Sequence, residues 1–265
     1  MHDLMNELAI KVAGEGTRLI DGNKTDFDAK YLLHVSFDFD VDSSEWKIPT
    51  SLLESNKLRT FLFLSQDLWW KSFRKSFCAT IASNFKSLRM LSLNKLGITK
   101  LPKCLRKMKH LRYFDLSENP IERLPYGIVK LQNLETLDLK WCSSLVELPR
   151  DIKKLINLRH LILEGCYKLA RIPRGLGELT CLRTLSIFVL SENKSMLRGS
   201  AGLSELGKLN DIRGKLEISN LRYKKDMVSE LNYDGAVLKE KRHLYSLTLQ
   251  WMRIERENSD AVEEG

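Results

Sequence analysis

Between Leu88 and Pro173 one pattern recurs four times at a nearly fixed interval, and that recurrence limits the possible folds more than any other feature. A leucine is followed by two residues, a leucine or equivalent, one residue and another leucine. A polar or small residue, an apolar residue and a Leu-Pro step complete the turn. The copies read SLRMLSLNKLGITKLP, HLRYFDLSENPIERLP, NLETLDLKWCSSLVELP and NLRHLILEGCYKLARIP. Their leading residues, Leu88, Leu111, Leu134, Leu158 and then Leu182, are 23, 23, 24 and 24 residues apart. In NLETLDLKW, Leu137 and Leu139 alternate with Thr136, Asp138 and Lys140, the period of a strand with one buried face. Leu145 and Leu148 turn inward beyond it, Pro149 breaks any ladder, and Ile152 and Leu155 carry the chain back. The matching return pairs are Leu105 and Met108, Ile128 and Leu131, and Leu176 and Leu179. Each apolar side chain is worth roughly 1.5–3 kcal/mol when fully buried. One turn cannot bury its own set, so the turns must stack. Amphipathic helices are excluded, because the spacing and the recurring proline do not suit a period of 3.6 residues.

A period of this length with this internal spacing is the signature of leucine-rich repeats. The expected fold is an α/β solenoid, with short parallel strands on its concave face and irregular or short helical returns on its convex side. A small helical segment over residues 1–13 precedes it, and Gly14, Gly16, Gly22 and Asn23 mark a loop. Tyr31 to Phe39 reads as a strand, and Leu58, Phe61 and Phe63 as a first rung. The long step to Leu88 accommodates a helix in LWWKSFRKSFCATIASNF, whose Trp69, Phe73, Phe77 and Ile81 form one stripe facing the core. After Leu182, Leu185 and Ile187 the pattern lapses into a polar stretch, read as an irregular excursion. It resumes at Leu216 and Ile218 and at Leu244, Leu247 and Leu249. Arg213 falls where a leading leucine is expected, which makes two steps of 31 residues. The repeat domain is assigned to residues 31–250, and the charged residues 251–265 are read as a disordered tail.

Net charge is +9 and unevenly placed: −5 over residues 1–70, +12 over 71–112 and +2 over the remainder. The middle segment has no acid and includes Lys86, Lys103, Arg106, Lys107 and Lys109, so it calls for an acidic surface, either a protein or nucleic acid. The five cysteines form no C-x-x-C pair, which argues against a disulfide framework or a zinc site. Cys142 and Cys166 take the place of Asn119 in successive turns, where a small polar side chain satisfies the turning backbone. No apolar run is long enough to span a membrane, and the acidic N-terminus is unlike a secretory signal, so a cytoplasmic location is expected. GTRLIDGNKT does not meet the phosphate-loop pattern, since Asn23 separates Gly22 from Lys24.

The outward strand positions are the candidate binding surface. Following each leading leucine come Arg89, Arg112, Glu135, Arg159 and Arg183, a basic column in which Glu135 is placed to pair with Arg112 and Arg159. The next column holds Met90, Tyr113, Thr136, His160 and Thr184, and a further one Ser92, Asp115, Asp138, Ile162 and Ser186. Lys95, Glu118, Trp141, Gly165, Val189 and Trp251 lie at the strand ends. Candidate partner-binding residues are therefore Arg89, Arg112, Tyr113, Asp115, Glu135, Asp138, Trp141, Arg159, His160, Arg183 and Trp251. The aromatic ones suit interface hot spots. No catalytic triad, carboxylate pair or metal motif is present, so an enzyme is not expected.

Three features together resemble plant intracellular immune receptors of the nucleotide-binding leucine-rich-repeat class, particularly the coiled-coil type. Met1-His2-Asp3-Leu4 followed by MNELAIKVAGE is similar to the MHD motif that closes the second ARC subdomain. The turns end in Leu101-Pro102, Leu124-Pro125, Leu148-Pro149 and Ile172-Pro173, the style of cytoplasmic plant repeats. RGKLEISNL at 213–221 follows the excursion as it does in many such receptors. The resemblance implies that residues 1–30 are the end of a nucleotide-binding region and that the chain is a fragment or truncated product. It implies His2 and Asp3 as cofactor-sensing residues, with ADP or ATP bound only by the full-length receptor and no cofactor by this chain. It further implies repeats that recognise a pathogen effector or a guarded host protein. The same repeats would restrain the receptor's own nucleotide-binding domain, the basic patch docking on its acidic surface or on residues 1–70. The alternative is a basic scaffold that binds nucleic acid or another acidic partner.

Overall fold

The computed structural model describes residues 16–21, 29–38, 48–63, 75–191, 199–221, 238 and 240–252. Eight strands pair in sequence order in one sheet: β1 (Thr17–Asp21), β2 (His34–Asp38), β3 (Thr60–Phe63), β4 (Met90–Ser92), β5 (Tyr113–Asp115), β6 (Thr136–Asp138), β7 (His160–Ile162) and β8 (Thr184–Leu185). Their pairings are parallel and in register. A second sheet follows from β9 (Ile187–Val189), β10 (Arg213–Leu221) and β11 (His243–Trp251), again parallel. Parallel neighbours require a crossover, and here each crossover is one return turn of the solenoid. Single 3-10 turns at Lys103–Lys107, Tyr126–Lys130, Ile152–Lys154 and Leu176–Glu178 form the convex side. Pro102 and Pro125 stand just before the first two of these, where a fixed φ helps and no amide is needed. This is the α/β solenoid expected from the repeat.

The leading leucines at 88, 111, 134, 158 and 182 are fully buried, as are the inward strand residues Leu91, Phe114, Leu137, Leu161 and Leu185. At the N-terminal end the fillers are aromatic. Phe37, Phe61, Phe63, Phe77 and Phe85 form a cluster in which Phe37 and Phe61 lie 4.8 Å apart. Bulk is needed there because helix α2 (Lys75–Asn84), preceded by the short α1 (Thr50–Leu53), widens the turn beyond the others. Phe77 and Ile81 of the expected stripe are buried; Trp69 and Phe73 lie outside the described residues.

Asn119 explains the polar position inside each turn. It is buried, its Oδ1 accepts from the amides of Leu96 (3.1 Å) and Ile98 (2.9 Å), and its Nδ2 donates to the carbonyls of Leu93 and Leu116. Cys142 and Cys166 follow it, their thiols donating to the carbonyls of Leu116 (3.2 Å) and Leu139 (3.1 Å). Burial pushes Cys142 up to about 11 and Cys166 to about 12, so both are inert structural thiols.

Several local expectations are corrected. The glycine-marked loop contains β1, and Leu32, Val35 and Phe37 complete a rung around β2 with the same spacing as later ones. The excursion includes α3 (Leu203–Gly207), whose Leu206, with Leu209 after it, forms a buried return. Fully buried Ile212 holds the leading place assigned to Arg213, which drops into the following, exposed column. Ile187 is half-buried, while Phe188 and Val189 point inward, because the register slips after Ser186. Leu247 and Leu249 are exposed, since no described strand stacks on β11. The expected helix at 1–13 lies outside the described residues, as do His2 and Asp3 and all of the tail assigned to 251–265 except its first two residues, of which Trp251 ends strand β11 rather than opening a disordered tail.

Candidate recognition face

The strands enter the sheet through a backbone ladder that defines the outward columns. The amide of Arg59 donates to the Leu33 carbonyl, and the amide of Arg89 donates to Arg59. Arg112 donates to Arg89, Glu135 to Arg112, Arg159 to Glu135, Arg183 to Arg159 and Arg213 to Arg183, all at 2.7–2.8 Å. The basic column is therefore longer than the five residues first read. Arg59 and Arg213 extend it, and the six arginines are exposed. Arg59 was legible as the residue after Leu58. Arg213 was hidden because Leu216 follows the buried Ile212 by four residues, where a regular turn has three. Glu135 does sit between two arginines, 2.9 Å from Arg112 and 4.0 Å from Arg159.

In the next column His160 Nδ1 hydrogen-bonds Thr184 Oγ1 at 2.9 Å, and His34 repeats the arrangement with Thr60 at 2.8 Å. Both imidazoles are held below their ordinary range, first by partial burial and then by adjacent arginine charge. Tyr113 is half-buried and pushed up to about 12 by burial and by Asp115 and Asp138. Asp115 is not the projecting contact expected of it. It is buried, accepting from Ser92 Oγ at 2.8 Å and from the Ser117 amide and hydroxyl. Asp138 is half-buried and raised to about 6 by burial, opposed by the bond it accepts from the Lys140 amide and reinforced by Asp115.

At the opposite strand edge, Lys95, Glu118 and Trp141 adopt left-handed backbone with φ of 57–58°, and Gly165 follows at 77°. Each non-glycine residue there carries a strain on the order of 1–2 kcal/mol. Each one's own amide is locked by a carbonyl of the next turn: Lys95 donates to Ser117, Glu118 to Lys140 and Trp141 to Glu164. Glycine at 165 leaves room for the Trp141 indole, since a Cβ there would stand 2.5 Å from the ring. Trp141 remains 43% exposed and meets the exposed Tyr167 edge-on at 5.8 Å. Together they border a groove of about 570 Å³ that runs past Arg171 and Ile187 to Glu217 and Asn220. Tyr167 was missed because it lies beyond the repeat columns. Trp251 is exposed at the end of β11, next in sequence to Gln250, which lines the same groove.

The basic patch is split from this face. Lys103, Arg106 and Lys107 are exposed on the first convex 3-10 turn, with Lys109 just after it, and Lys86 is exposed beyond α2. Among the described residues no cluster of His, Cys, Asp and Glu is arranged to hold a metal, and no helix is long and apolar enough to cross a membrane.

The family model described as a leucine-rich repeat region matches residues 70–257. No curated protein sequence matches the chain. Among solved structures, a leucine-rich-repeat protein of Leptospira interrogans is similar over 85% of this chain and 63% of its own, at 19% identity and a TM-score of 0.49. The Arabidopsis receptor kinase HAESA, solved with the peptide hormone IDA and the co-receptor SERK1, is similar over 84% of this chain and 35% of its own. Its identity is 16% and its TM-score 0.56. The chain thus spans less than two thirds of the length of either structure.

Proposed function

Because this chain belongs to the leucine-rich repeat region family, we propose that it is the recognition and autoinhibitory module of a plant nucleotide-binding leucine-rich-repeat immune receptor. Its concave face binds a pathogen effector or a guarded host protein. The exposed Trp141, held on Gly165 beside Tyr167 at the edge of a continuous parallel sheet, is the observation that carries the recognition half. Two exposed aromatics over a groove are costly to leave in water and are the residue types that dominate protein interfaces. On this reading the chain contributes by binding and by restraint. The restraint comes from Lys103, Arg106, Lys107 and Lys109, which stand on the convex turn away from the groove and so leave the two contacts independent. Residues 1–30 are, on this reading, the end of the nucleotide-binding region, with His2 and Asp3 acting on bound ADP or ATP only in the whole receptor.

The transcript upstream of Met1 tests this directly. An in-frame G-x-x-x-x-G-K-[ST] segment is expected there. With that receptor in hand, reversing Lys103, Arg106, Lys107 and Lys109 to glutamate should start signalling without a trigger in a leaf cell-death assay. A transcript with no such segment, or a reversed receptor that stays at rest, refutes the assignment.

A further inference from the structure

Gly165 stands fourth in the series of left-handed residues at the strand edge, after Lys95, Glu118 and Trp141. The first three donate their amides to Ser117, Lys140 and Glu164, each the residue before the next member of the series. Phe188, just before Val189, is therefore the acceptor due to Gly165. The slip after Ser186 turns Phe188 inward and takes β9 into the second sheet, and that bond is not made. Gly165 is buried, and its amide finds no acceptor among the described residues. Buried amides are almost always paired. This one lies in the lining of the groove of about 570 Å³ where the two sheets part, bordered by Trp141 and Tyr167.

The surroundings of that amide select the chemistry of a guest. Its neighbours are already engaged, Leu163 donating to the Ser186 hydroxyl and Cys166 to the Leu163 carbonyl. A guest β-strand needs a row of free backbone groups and would find a single donor. A polyproline segment needs no row. Its carbonyls stand free, its prolines bring no amide that must be matched, and it enters already extended. Its rings pack on aromatic faces, and Trp141 and Tyr167 meet edge-on, so two such faces stand at an angle beside the groove.

Charge gives the guest a direction. At the far end Glu217 is half-buried, accepts the Ser219 hydroxyl at 3.0 Å and, among the described residues, pairs with no cation. Lys168 stands exposed next to Tyr167, so a basic guest residue is repelled at the aromatic end and attracted at the other. From Trp141 to Glu217 the rungs are β6, β7, β9 and β10. Three steps of about 4.7–4.9 Å make about 14 Å, or four to five polyproline residues at about 3.1 Å each. We propose, resting on the reading of this groove as a recognition site, that it takes an extended proline-rich segment of a partner protein. One carbonyl of the segment accepts the Gly165 amide and a proline packs on Trp141 and Tyr167. An arginine or lysine about four to five residues away meets Glu217.

Fluorescence anisotropy with synthetic peptides tests this. The first probe is a labelled, end-blocked proline-rich octapeptide with one arginine about four residues from its last proline. The second has alanine for every proline, and the third glutamate for the arginine. The first should bind saturably below about 1 mM and about tenfold more tightly than either of the others. Tyr167→Ala should weaken it about fivefold to tenfold, as should Trp141→Gly, which keeps the left-handed backbone without strain. Glu217→Gln should abolish the preference for arginine over glutamate and leave the preference for proline. Tyr126→Ala on the convex side should change nothing. Thermal melts should show every variant folded, since the replaced side chains are exposed or half-buried. In a spectrum of 15N-glycine-labelled protein, the Gly165 amide proton should move downfield as the first probe is added. No binding, equal binding of the alanine peptide, binding that survives Trp141→Gly or Tyr167→Ala, or an unmoved Gly165 amide overturns the proposal. Those results leave the receptor assignment standing, because the upstream transcript decides that separately.

Discussion

Replacing Asn119 by alanine tests the reasoning behind the stacked turns at its most sensitive point. The side chain is almost wholly buried, and the amides of Leu96 and Ile98 in the preceding turn have it as their acceptor. The carbonyl of Leu116 keeps a partner in the thiol of Cys142, so the two amides bear most of the loss. A buried donor without a partner costs about 1–3 kcal/mol, which puts the pair at about 4 kcal/mol. For a chain of this size each kcal/mol lowers Tm by about 2–4 °C, so Asn119→Ala should melt about 8–16 °C below the parent by circular dichroism. Asn119→Cys copies the next two turns and should lose about half as much, since sulfur is a weaker acceptor. Hydrogen exchange should lose protection first at Leu96 and Ile98. A loss below about 1 kcal/mol, or unchanged protection at those amides, would refute the claim that this position holds adjacent turns together.

Gly165→Ala should cost about 2–3 kcal/mol, combining left-handed backbone with a Cβ driven into the Trp141 ring, and should shift Trp141 fluorescence. Asp138 is raised to about 6, above its unfolded value of 3.8. Its contribution is therefore fully present below about pH 4 and lost as pH rises through about 6. Asp138→Asn, which keeps the acceptor for the Lys140 amide, should stabilise the fold at pH 7.5 by about 1 kcal/mol after solvent screening, with no gain near pH 4 in parallel urea titrations. Cys78, Cys142 and Cys166 are buried, with thiols pushed up to about 12, 11 and 12. A thiol reagent at neutral pH should modify the exposed Cys181 readily and these three only on unfolding.

The repeat was readable because burial dictates it: a strand this short has two or three inward positions, and in the regular turns leucine marks most of them, with Phe114 and Ile residues filling others. Where phenylalanine and valine do the same work, as at Val35 and Phe37, the rung escaped notice although its spacing is identical. Strand β1 was hidden for another reason. Only Ile20 is buried there while Leu19 faces out, so an end strand of this kind has little pattern to show. On the face itself, the arginine and glutamate pairing followed from columns alone. Asp115 did not, because whether a carboxylate projects or turns to a neighbouring serine depends on side-chain geometry that periodicity does not encode. Tyr167 lies in the connecting segment, where no period operates.

The slip after Ser186 shows how one side chain lets the face continue through an irregular turn. In the regular turns the amides of Leu93, Leu116 and Leu139 donate to the carbonyls of Asp115, Asp138 and Ile162 of the next rung. The equivalent amide of Leu163 donates instead to the Ser186 hydroxyl at 2.7 Å. With its hydroxyl serving the preceding turn, Ser186 has its carbonyl free to accept the Glu217 amide of the following one at 2.9 Å. The chain can then reverse its inward and outward faces, burying Phe188, without leaving a buried donor unpaired. The strands regroup into a second sheet, yet the Arg213 amide still reaches the Arg183 carbonyl. Pairing is broken only along the middle of the rung, and the arginine edge passes through intact. Leucine burial alone does not call for that continuity.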